Sequence, residues 1–169
     1  MKRSGPFDVT PTETRRLLNN SSGYRVRVRR TADQSHTTSG DYEQLTFPSG
    51  SAAQAYNAGG MHDLTGLSPE RLTIKKSGLY SMFASIRFAA SAVGVRAIKI
   101  RLNNSSDILD VIQAPNGIIV DQLTLSGHHI LSVGDYLVLM AYQDSGGALN
   151  MVNENNDCPI FGAALIGDV

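Results

Sequence analysis

The sequence has few of the features that mark common classes of protein. A single cysteine, Cys158, excludes an intrachain disulfide framework. Tryptophan is absent and aromatic residues make up only 7% of the chain, which disfavours a binding surface built on stacked rings. No apolar run approaches the roughly 20 residues of a membrane-spanning helix. The charged start, MKRSGPFDVTP, lacks the apolar segment of a secretory signal. We therefore expect a soluble protein.

The chain as a whole has no net charge, but its charged residues are unevenly distributed along the sequence. Lysine plus arginine and aspartate plus glutamate each number 15, for a formal charge of zero. Eight of the basic residues lie in positions 1–30, whereas none follows Arg101 and eight carboxylates lie between Asp107 and Asp168. This asymmetry predicts an N-terminal segment that meets an acidic partner, which is nucleic acid, another protein or its own C-terminal half.

The pattern after residue 40 is that of β-strands. A chain of 169 residues suits one domain. In VRAIKIRLN, Ile98, Ile100 and Leu102 alternate with Lys99 and Arg101. Similar short apolar runs are separated by turn sequences such as Pro115-Asn116-Gly117. Strands at this spacing predict an all-β fold, an antiparallel sandwich or jelly roll, over residues 41–169.

Residues 1–40 differ and are predicted to form an N-terminal arm. Thr10, Pro11 and Glu13 make a capping box for one short helix. The following YRVRVRR reads as a strand with Arg25, Arg27 and Arg29 on one face. Because Tyr24 is the only interleaved aromatic, this stripe favours a protein contact over nucleic acid.

The tetrapeptide Asp144-Ser145-Gly146-Gly147 raises the question of serine catalysis. A nucleophilic serine needs a histidine base, a group that orients the base and donors for the oxyanion. The four histidines lie in no protease-like setting, and the chain is too short for two β-barrels. We therefore interpret Ser145 as part of a turn between strands and expect no enzyme activity.

Metal and cofactor signals are weak. The run Asn153 to Asp157, with Asp144, contains the oxygen ligands that calcium prefers but lacks EF-hand spacing. Such runs are more often plain loops, so calcium is the lesser alternative. His128-His129 has no partners at zinc spacing, and no phosphate-binding glycine motif is present. We expect no cofactor and no metal.

The order of landmarks from Tyr56 onward resembles one family. The chain contains YNAGGMHDLTG, ERLTIKKSGLYSMF, RAIKIRLN, LSVGDYLVLMAYQDSGGALN and CPIFGAALIGDV in that order. The Asn57-x-Gly59-Gly60 turn, Gly78-x-Tyr80 and Gly134-Asp135 match the jelly-roll head of the C1q and tumour-necrosis-factor superfamily, especially its bacteriophage and bacterial versions. His62, Met82 and Ala164 depart from the animal pattern, which puts the animal receptor-ligand surfaces in doubt.

The resemblance implies a homotrimer without catalysis, and the 169 residues contain no collagen-like Gly-X-Y repeat. We expect a virion structural protein, foremost a capsid decoration or cement protein, whose arm docks on a major capsid or other virion protein. Docking would use guanidinium–carboxylate pairs and strand addition. The arm residues are Arg15, Arg16, Arg25, Arg27, Arg29 and Arg30. The residues expected in the core and threefold contacts are Tyr80, Met82, Tyr142 and Phe161.

Two other non-enzymatic roles remain open. A tail or fibre tip, acting as an adhesin, would bind a host receptor or glycan through its loops. The residues predicted for such a surface are Asn104, Asn116, Asp144 and Asn153. The lack of aromatic platforms near those loops favours the structural role. A shell protein with a nucleic-acid-binding arm would need a longer, lysine-rich tail, so nucleic acid is not expected as a partner. A membrane partner is not expected either.

Overall fold

The computed structural model describes residues 23–50, 53–117, 119–153 and 159–169. Its strands are β1 (Arg25–Arg29), β2 (Gln34–His36), β3 (Tyr42–Gln44), β4 (Gln54–Ala58), β5 (Arg71–Thr73), β6 (Gly78–Phe88), β7 (Arg96–Leu102), β8 (Ser106–Gln113), β9 (Asp121–Leu131), β10 (Tyr136–Gln143), β11 (Leu149–Met151) and β12 (Ile160–Gly167). No helix occurs in this part of the chain, and so none there is long and apolar enough to cross a membrane. The helix predicted near Thr10 lies outside the described residues.

The strands form two antiparallel sheets. The seven-stranded sheet runs β2-β11-β6-β12-β1-β4, with β9 also paired to β6. The five-stranded sheet runs β3-β10-β7-β8, with β5 also paired to β10. Alternate residues of each strand point to opposite faces. One apolar face of each sheet is therefore buried against the other, and the predicted all-β antiparallel sandwich is confirmed.

The core lies between the sheets and follows the predicted alternation. Val26 and Val28 of β1, Ile98 and Ile100 of β7 and Leu139 of β10 are fully buried in it. The rings of Phe47 and Phe161 also pack in this core, with centroids 6.0 Å apart. Burial of such side chains, at about 25 cal/mol per Å² of apolar surface, is the main source of stability.

Strand β1 belongs to this sandwich, which corrects the predicted boundary at residue 40. Arg25 to Arg29 pair with β12 on one side and with β4 on the other. β2 likewise joins the seven-stranded sheet through β11. The sequence did not predict that β1 is part of the sandwich, because basic residues alternate along it and its apolar face consists of only Val26 and Val28. Strand addition through β1 is also wrong, since both edges of the strand are already hydrogen-bonded.

The sandwich has two distinct ends. At the near end, β1 begins, and the connections that follow β5, β7 and β9 turn the chain. At the far end lie the loops that follow β6, β8 and β10, because Arg96 pairs with both Gln113 and Gln143 there. Asn103 and Asn104 adopt positive φ angles of 51° and 53° in the tight β7–β8 turn, a conformation that asparagine tolerates.

Candidate functional site

The outward side of the seven-stranded sheet is the candidate site, and it is called the assembly face below. Its centre is small and uncharged. On β6 the outward residues are Leu79, Ser81, Phe83, Ser85 and Arg87, and on β12 they include Gly162 and Ala164. On β9 they are Gln122, Thr124, Ser126, His128 and Ile130. Ile130, 61% exposed, lies opposite Leu79 and extends the apolar part towards the near end.

The ring of Phe83 lies over Gly162 in the middle of this face. A Cβ atom at Gly162 would lie 2.3 Å from Cζ of Phe83 and 2.7 Å from the carbonyl oxygen of Val26. Glycine at this position therefore lets the ring rest on the β12 backbone. The resulting surface is low, with an aromatic ring surrounded by serine, alanine and glycine. Charged residues are typically depleted in the centre of a protein interface and aromatic residues enriched, as on this face.

Hydrogen bonds hold the polar side chains of the face in place. The hydroxyls of Ser85 and Thr124 lie 3.1 Å apart. Gln122 donates from Nε2 to the Ser85 hydroxyl at 3.2 Å and accepts from the Arg87 guanidinium at 2.8 Å. The polar groups are thus arranged between neighbouring strands before any partner binds, which lowers the entropy cost of association.

The predicted arginine stripe lies on the same face, next to its uncharged centre. Arg25, Arg27 and Arg29 point outward from β1 beside the small residues of β12. The guanidinium of Arg25 lies 5.9 Å from the ring centroid of Tyr56 on β4, within reach of a cation–π contact. Arg15 and Arg16 lie outside the described residues.

Arg30 has a different role from the rest of the stripe. Its guanidinium donates to the carbonyl oxygens of Ala32 and Thr46 and, at 2.8 Å, to Oε1 of Gln34. Burial lowers its pKa from the ordinary value. Because these bonds hold the turn after β1 and the chain after β3, Arg30 organises loops of the fold.

The outward side of the five-stranded sheet is charged by contrast. Lys99 donates to Asp107 at 2.9 Å, and Arg101 donates to the other oxygen of the same carboxylate at 2.7 Å. The Lys99 ammonium also lies 3.6 Å from the centroid of the Tyr42 ring. Tyr142 packs beside Tyr42 with ring centroids 5.1 Å apart. Such an ion-paired face resembles an ordinary solvated surface, so the two faces differ in character.

The carboxylate of Asp107 gives this charged face a predictable response to pH. Hydrogen bonds, first from Arg101 and then from Lys99, lower the pKa of Asp107 below its ordinary value of 3.8, against an opposing effect of burial. A depressed folded-state pKa stabilises the fold above the unfolded pKa, and this contribution disappears as the pH falls through the folded pKa. Because the side chain is 42% exposed, Asp107→Asn should cost less than about 1 kcal/mol at pH 7.

Urea unfolding at pH 7 and at a series of acidic values tests this expectation. The difference between wild type and Asp107→Asn should shrink towards zero as the pH falls. Asp110→Asn, on the same strand, is the control and should change little at any pH. A cost for Asp107→Asn that is constant with pH would contradict the role given to the ionised carboxylate.

The structure separates the residues predicted for core and threefold contacts. Tyr80, Met82 and Phe161 are fully buried between the sheets. The Tyr80 hydroxyl donates to the carbonyl oxygen of Lys76 at 2.8 Å, and burial raises the pKa of Tyr80 to about 12. Tyr142 is half-buried on the outward side of the other sheet. The outward neighbours on β6 and β12, above all Phe83 and Ala164, were missed, although they follow from the alternation about Tyr80 and Met82.

The residues predicted for a ligand surface do not lie together. Asn104 is in the β7–β8 turn at the near end, where its side-chain oxygen accepts from Gln44 at 3.1 Å. Asn116, Asp144 and Asn153 follow β8, β10 and β11 at the far end. Asp144 accepts from the backbone N–H of Val95, and the backbone N–H of Asn153 donates to Asp33 at 2.8 Å. A single loop surface containing all four is therefore excluded by their positions.

The environment of Ser145 is that of a turn. Its hydroxyl donates to Oε1 of Gln143 at 2.6 Å, and its backbone N–H donates to the same oxygen at 2.8 Å. Gln143 is fully buried and donates to the carbonyl oxygen of Gly147 at 2.7 Å. In the part of the chain that the structure covers, no histidine bonds to this hydroxyl. The hydroxyl therefore closes the β10–β11 connection.

Metal ligands are not gathered in the described ranges. No group of three or more histidine, cysteine, aspartate or glutamate side chains occurs among residues 23–50, 53–117, 119–153 and 159–169. Residues 154–158, which include most of the asparagine-rich run weighed for calcium and also Cys158, fall outside those ranges.

Comparisons with known proteins bear on the fold. No family model matches the sequence, and no curated protein matches it. Solved structures do match, among them the crystal structure of murine APRIL at pH 5.0, a jelly-roll protein of the TNF family. The two share 10% sequence identity and superpose with a TM-score of 0.60, over 84% of this chain and 98% of that chain. The likeness shows that this chain has a TNF-like jelly-roll fold.

Proposed function

We propose that this protein is a non-enzymatic virion structural protein that assembles as a homotrimer of jelly rolls. Its most suitable place is on the outside of a phage capsid, as a decoration or cement protein. The observation that carries the assembly part is the assembly face, whose centre around Phe83 is uncharged, whereas the outward side of the other sheet is ion-paired. The virion part rests on the order of sequence landmarks, which resembles phage and bacterial jelly rolls.

The assembly face has the composition of a protein interface. Phe83, Leu79 and Ile130 supply apolar area, while Ser81, Gly162 and Ala164 allow close approach of a second backbone. A threefold arrangement lets each copy bury this face against two others, which closes the assembly and prevents growth into filaments. A trimer of this kind buries an apolar surface that a monomer would leave exposed to water.

Docking to the particle is assigned to the basic N-terminal part of the chain. The side chains of Arg25, Arg27 and Arg29 lie on β1 beside the uncharged centre of the assembly face, and residues 1–22, with four further basic residues, precede that strand. Guanidinium groups bind carboxylates through paired hydrogen bonds, which suits an acidic patch on a capsid protein. Docking then uses side chains rather than strand addition.

Ala164→Arg tests the assembly face directly. Ala164 points outward between Arg25 and Ser81, and an arginine there would place an unpaired charge in the interface. A charge left unpaired in a buried interface costs about 3–5 kcal/mol, so the trimer should dissociate at roughly 100-fold higher protein concentration or more. Native mass spectrometry should show trimers for wild type and monomers for the variant. The control Gln113→Arg, on exposed β8, should stay trimeric.

A second measurement tests attachment to the particle. Brief trypsin treatment should cleave after Lys2, Arg3, Arg15 or Arg16 and leave an intact trimer, which shows that the jelly roll assembles alone. Antibodies against the jelly roll should label the capsids of virus particles in electron micrographs. Label confined to tails would instead support the tail-tip alternative. A monomeric wild-type protein would contradict the trimer, and unlabelled particles would contradict the virion assignment.

A further inference from the structure

An open cleft lies beside β5, away from the assembly face. It occupies about 440 Å³ between β5 and the chain that connects β4 to β5. The residues that matter for its chemistry are Met61, Asp63, Leu64, Arg71, Thr73 and Lys75. A cleft of this volume falls in the range of small-molecule sites.

Alternation on β5 and just beyond it directs three side chains towards the cleft. Leu72 and Ile74 are fully buried in the core. Arg71, Thr73 and Lys75 therefore point the other way, at successive steps of roughly 6.6 Å along the strand. The strand thus presents a cation, a hydroxyl and a second cation in one row.

The donors of this row have no acceptor among the described residues. The Nε of Arg71 is buried there without a hydrogen-bond partner. The guanidinium lies 5.1 Å from the ring centroid of Tyr136, a contact that positions it without using its N–H groups. Lys75 is exposed and, within the described part of the chain, makes no ion pair, whereas the adjacent Lys76 pairs with Asp168 at 2.8 Å. A buried donor without an acceptor is costly, so this donor is available to a ligand that enters the cleft.

The carboxylate of Asp63 and the imidazole of His62, which also line the cleft, already have hydrogen-bond partners within the protein. Asp63 accepts from the backbone and hydroxyl of Thr65 and from the backbone N–H groups of Leu67 and Ser68, and these bonds lower its pKa. The Nδ1 atom of His62 lies 3.0 Å from Nε2 of Gln54, and its Nε2 atom lies 3.5 Å from the carbonyl oxygen of Pro69. Burial lowers the pKa of His62. With His62 neutral, the lining carries two cations and one engaged carboxylate, a net charge of +1.

One side of the cleft is apolar. Met61 is buried beneath it, and Leu64 is 59% exposed at its margin. A ligand that matches this lining carries an oxyanion for Arg71 and Lys75, a hydroxyl for Thr73 and an apolar ring face for Leu64. We propose that the cleft binds an acidic sugar, with its oxyanion held between Arg71 and Lys75. This site does not depend on the trimer, because its row of donors lies on the other sheet.

Titration calorimetry on the full chain tests the proposal with defined sugars. Glucuronate supplies a carboxylate, glucose 6-phosphate supplies a phosphate, and glucose supplies the ring alone. At least one acidic sugar should bind about tenfold more tightly than glucose, the effect of one charge-assisted hydrogen bond. A preference for glucuronate identifies a carboxylate ligand, and a preference for glucose 6-phosphate identifies a phosphate ligand.

Variants locate the site. Arg71→Gln should weaken binding of the preferred sugar about tenfold or more, and Lys75→Gln about threefold. Lys76→Gln, with the same change of charge one residue away, should alter it less than twofold. Lys75 is exposed, so its variant should fold even if Arg71→Gln does not. Absence of binding by both acidic sugars overturns the proposal. So does equal loss in the Lys75 and Lys76 variants, or inorganic phosphate that binds as tightly as the preferred sugar.

Discussion

Phe161→Ala is expected to lower the free energy of unfolding by about 3–5 kcal/mol, the usual cost of removing a buried aromatic ring. Phe161 is fully buried on β12, in the middle of the seven-stranded sheet. Its strand is held between Val28 of β1 and Ala84 of β6, and its ring lies 6.0 Å from that of Phe47. Neighbouring strands are hydrogen-bonded on both sides, so the backbone has little freedom to collapse into the cavity.

Urea unfolding followed by circular dichroism measures this loss. Ile166→Ala, at a position of the same strand that is 47% exposed, is the matched control and should change the free energy by about 0.5 kcal/mol or less. Similar costs at both positions would mean that Phe161 contributes less to the core than its burial indicates.

Arg96→Met is expected to destabilise the fold by a similar amount, about 3–5 kcal/mol, because it leaves a buried carboxylate without its cation. Both side chains of the pair are fully buried, and Nε of Arg96 lies 3.8 Å from Oδ2 of Asp121. The guanidinium also donates to the carbonyl oxygens of Ser91, Val93 and Val95, and its carbon lies 6.0 Å from the centroid of the Phe88 ring. Asp121 accepts from the backbone N–H of Asn116 at 2.8 Å. The pair therefore fastens two far-end loops to the sandwich.

A double-mutant cycle separates the charge from the loop contacts. Asp121→Asn keeps an acceptor for Asn116 but removes the charge, so Arg96→Met combined with Asp121→Asn should cost less than the sum of the two single changes. Arg101→Met, on the same strand but in a partly exposed ion pair, is the control and should cost about 1 kcal/mol or less. Strict additivity of the two changes would contradict a direct interaction between Arg96 and Asp121.

Much of the sandwich was predictable because strand alternation is a local property. Ile98, Ile100 and Leu102 were expected to share a face, and Ile98 and Ile100 lie fully in the core. The assignment of Tyr24 to Arg30 as a strand was correct in type, since β1 covers Arg25 to Arg29. Its partners were not predictable, because pairing with β12 joins residues separated by more than 130 positions. Local pattern carries no information on such a distant pairing.

The candidate sites also depend partly on local sequence pattern and partly on the pairing of distant strands. The arginine stripe was visible as alternation, but its position beside Gly162 and Ala164 depends on which strand lies next to β1. The cleft beside β5 gave no sequence signal, because Arg71, Thr73 and Lys75 resemble any solvated strand face. Its distinguishing features are the burial of Arg71 Nε and the ring of Tyr136, and both arise from β10 lying alongside β5.

The sequence by itself determined the fold class, the position of several turns and the buried faces of β1 and β7. These depend on side-chain period and on glycine and asparagine at turns, which act over a few residues. Only the tertiary structure decided that β1 is an inner strand, that Phe83 lies at the uncharged centre of the assembly face, that Arg30 bonds to the loops around it and that Arg71 and Lys75 line one cleft. Each of these depends on contacts between segments far apart in the chain, and such contacts form only when the two sheets come together.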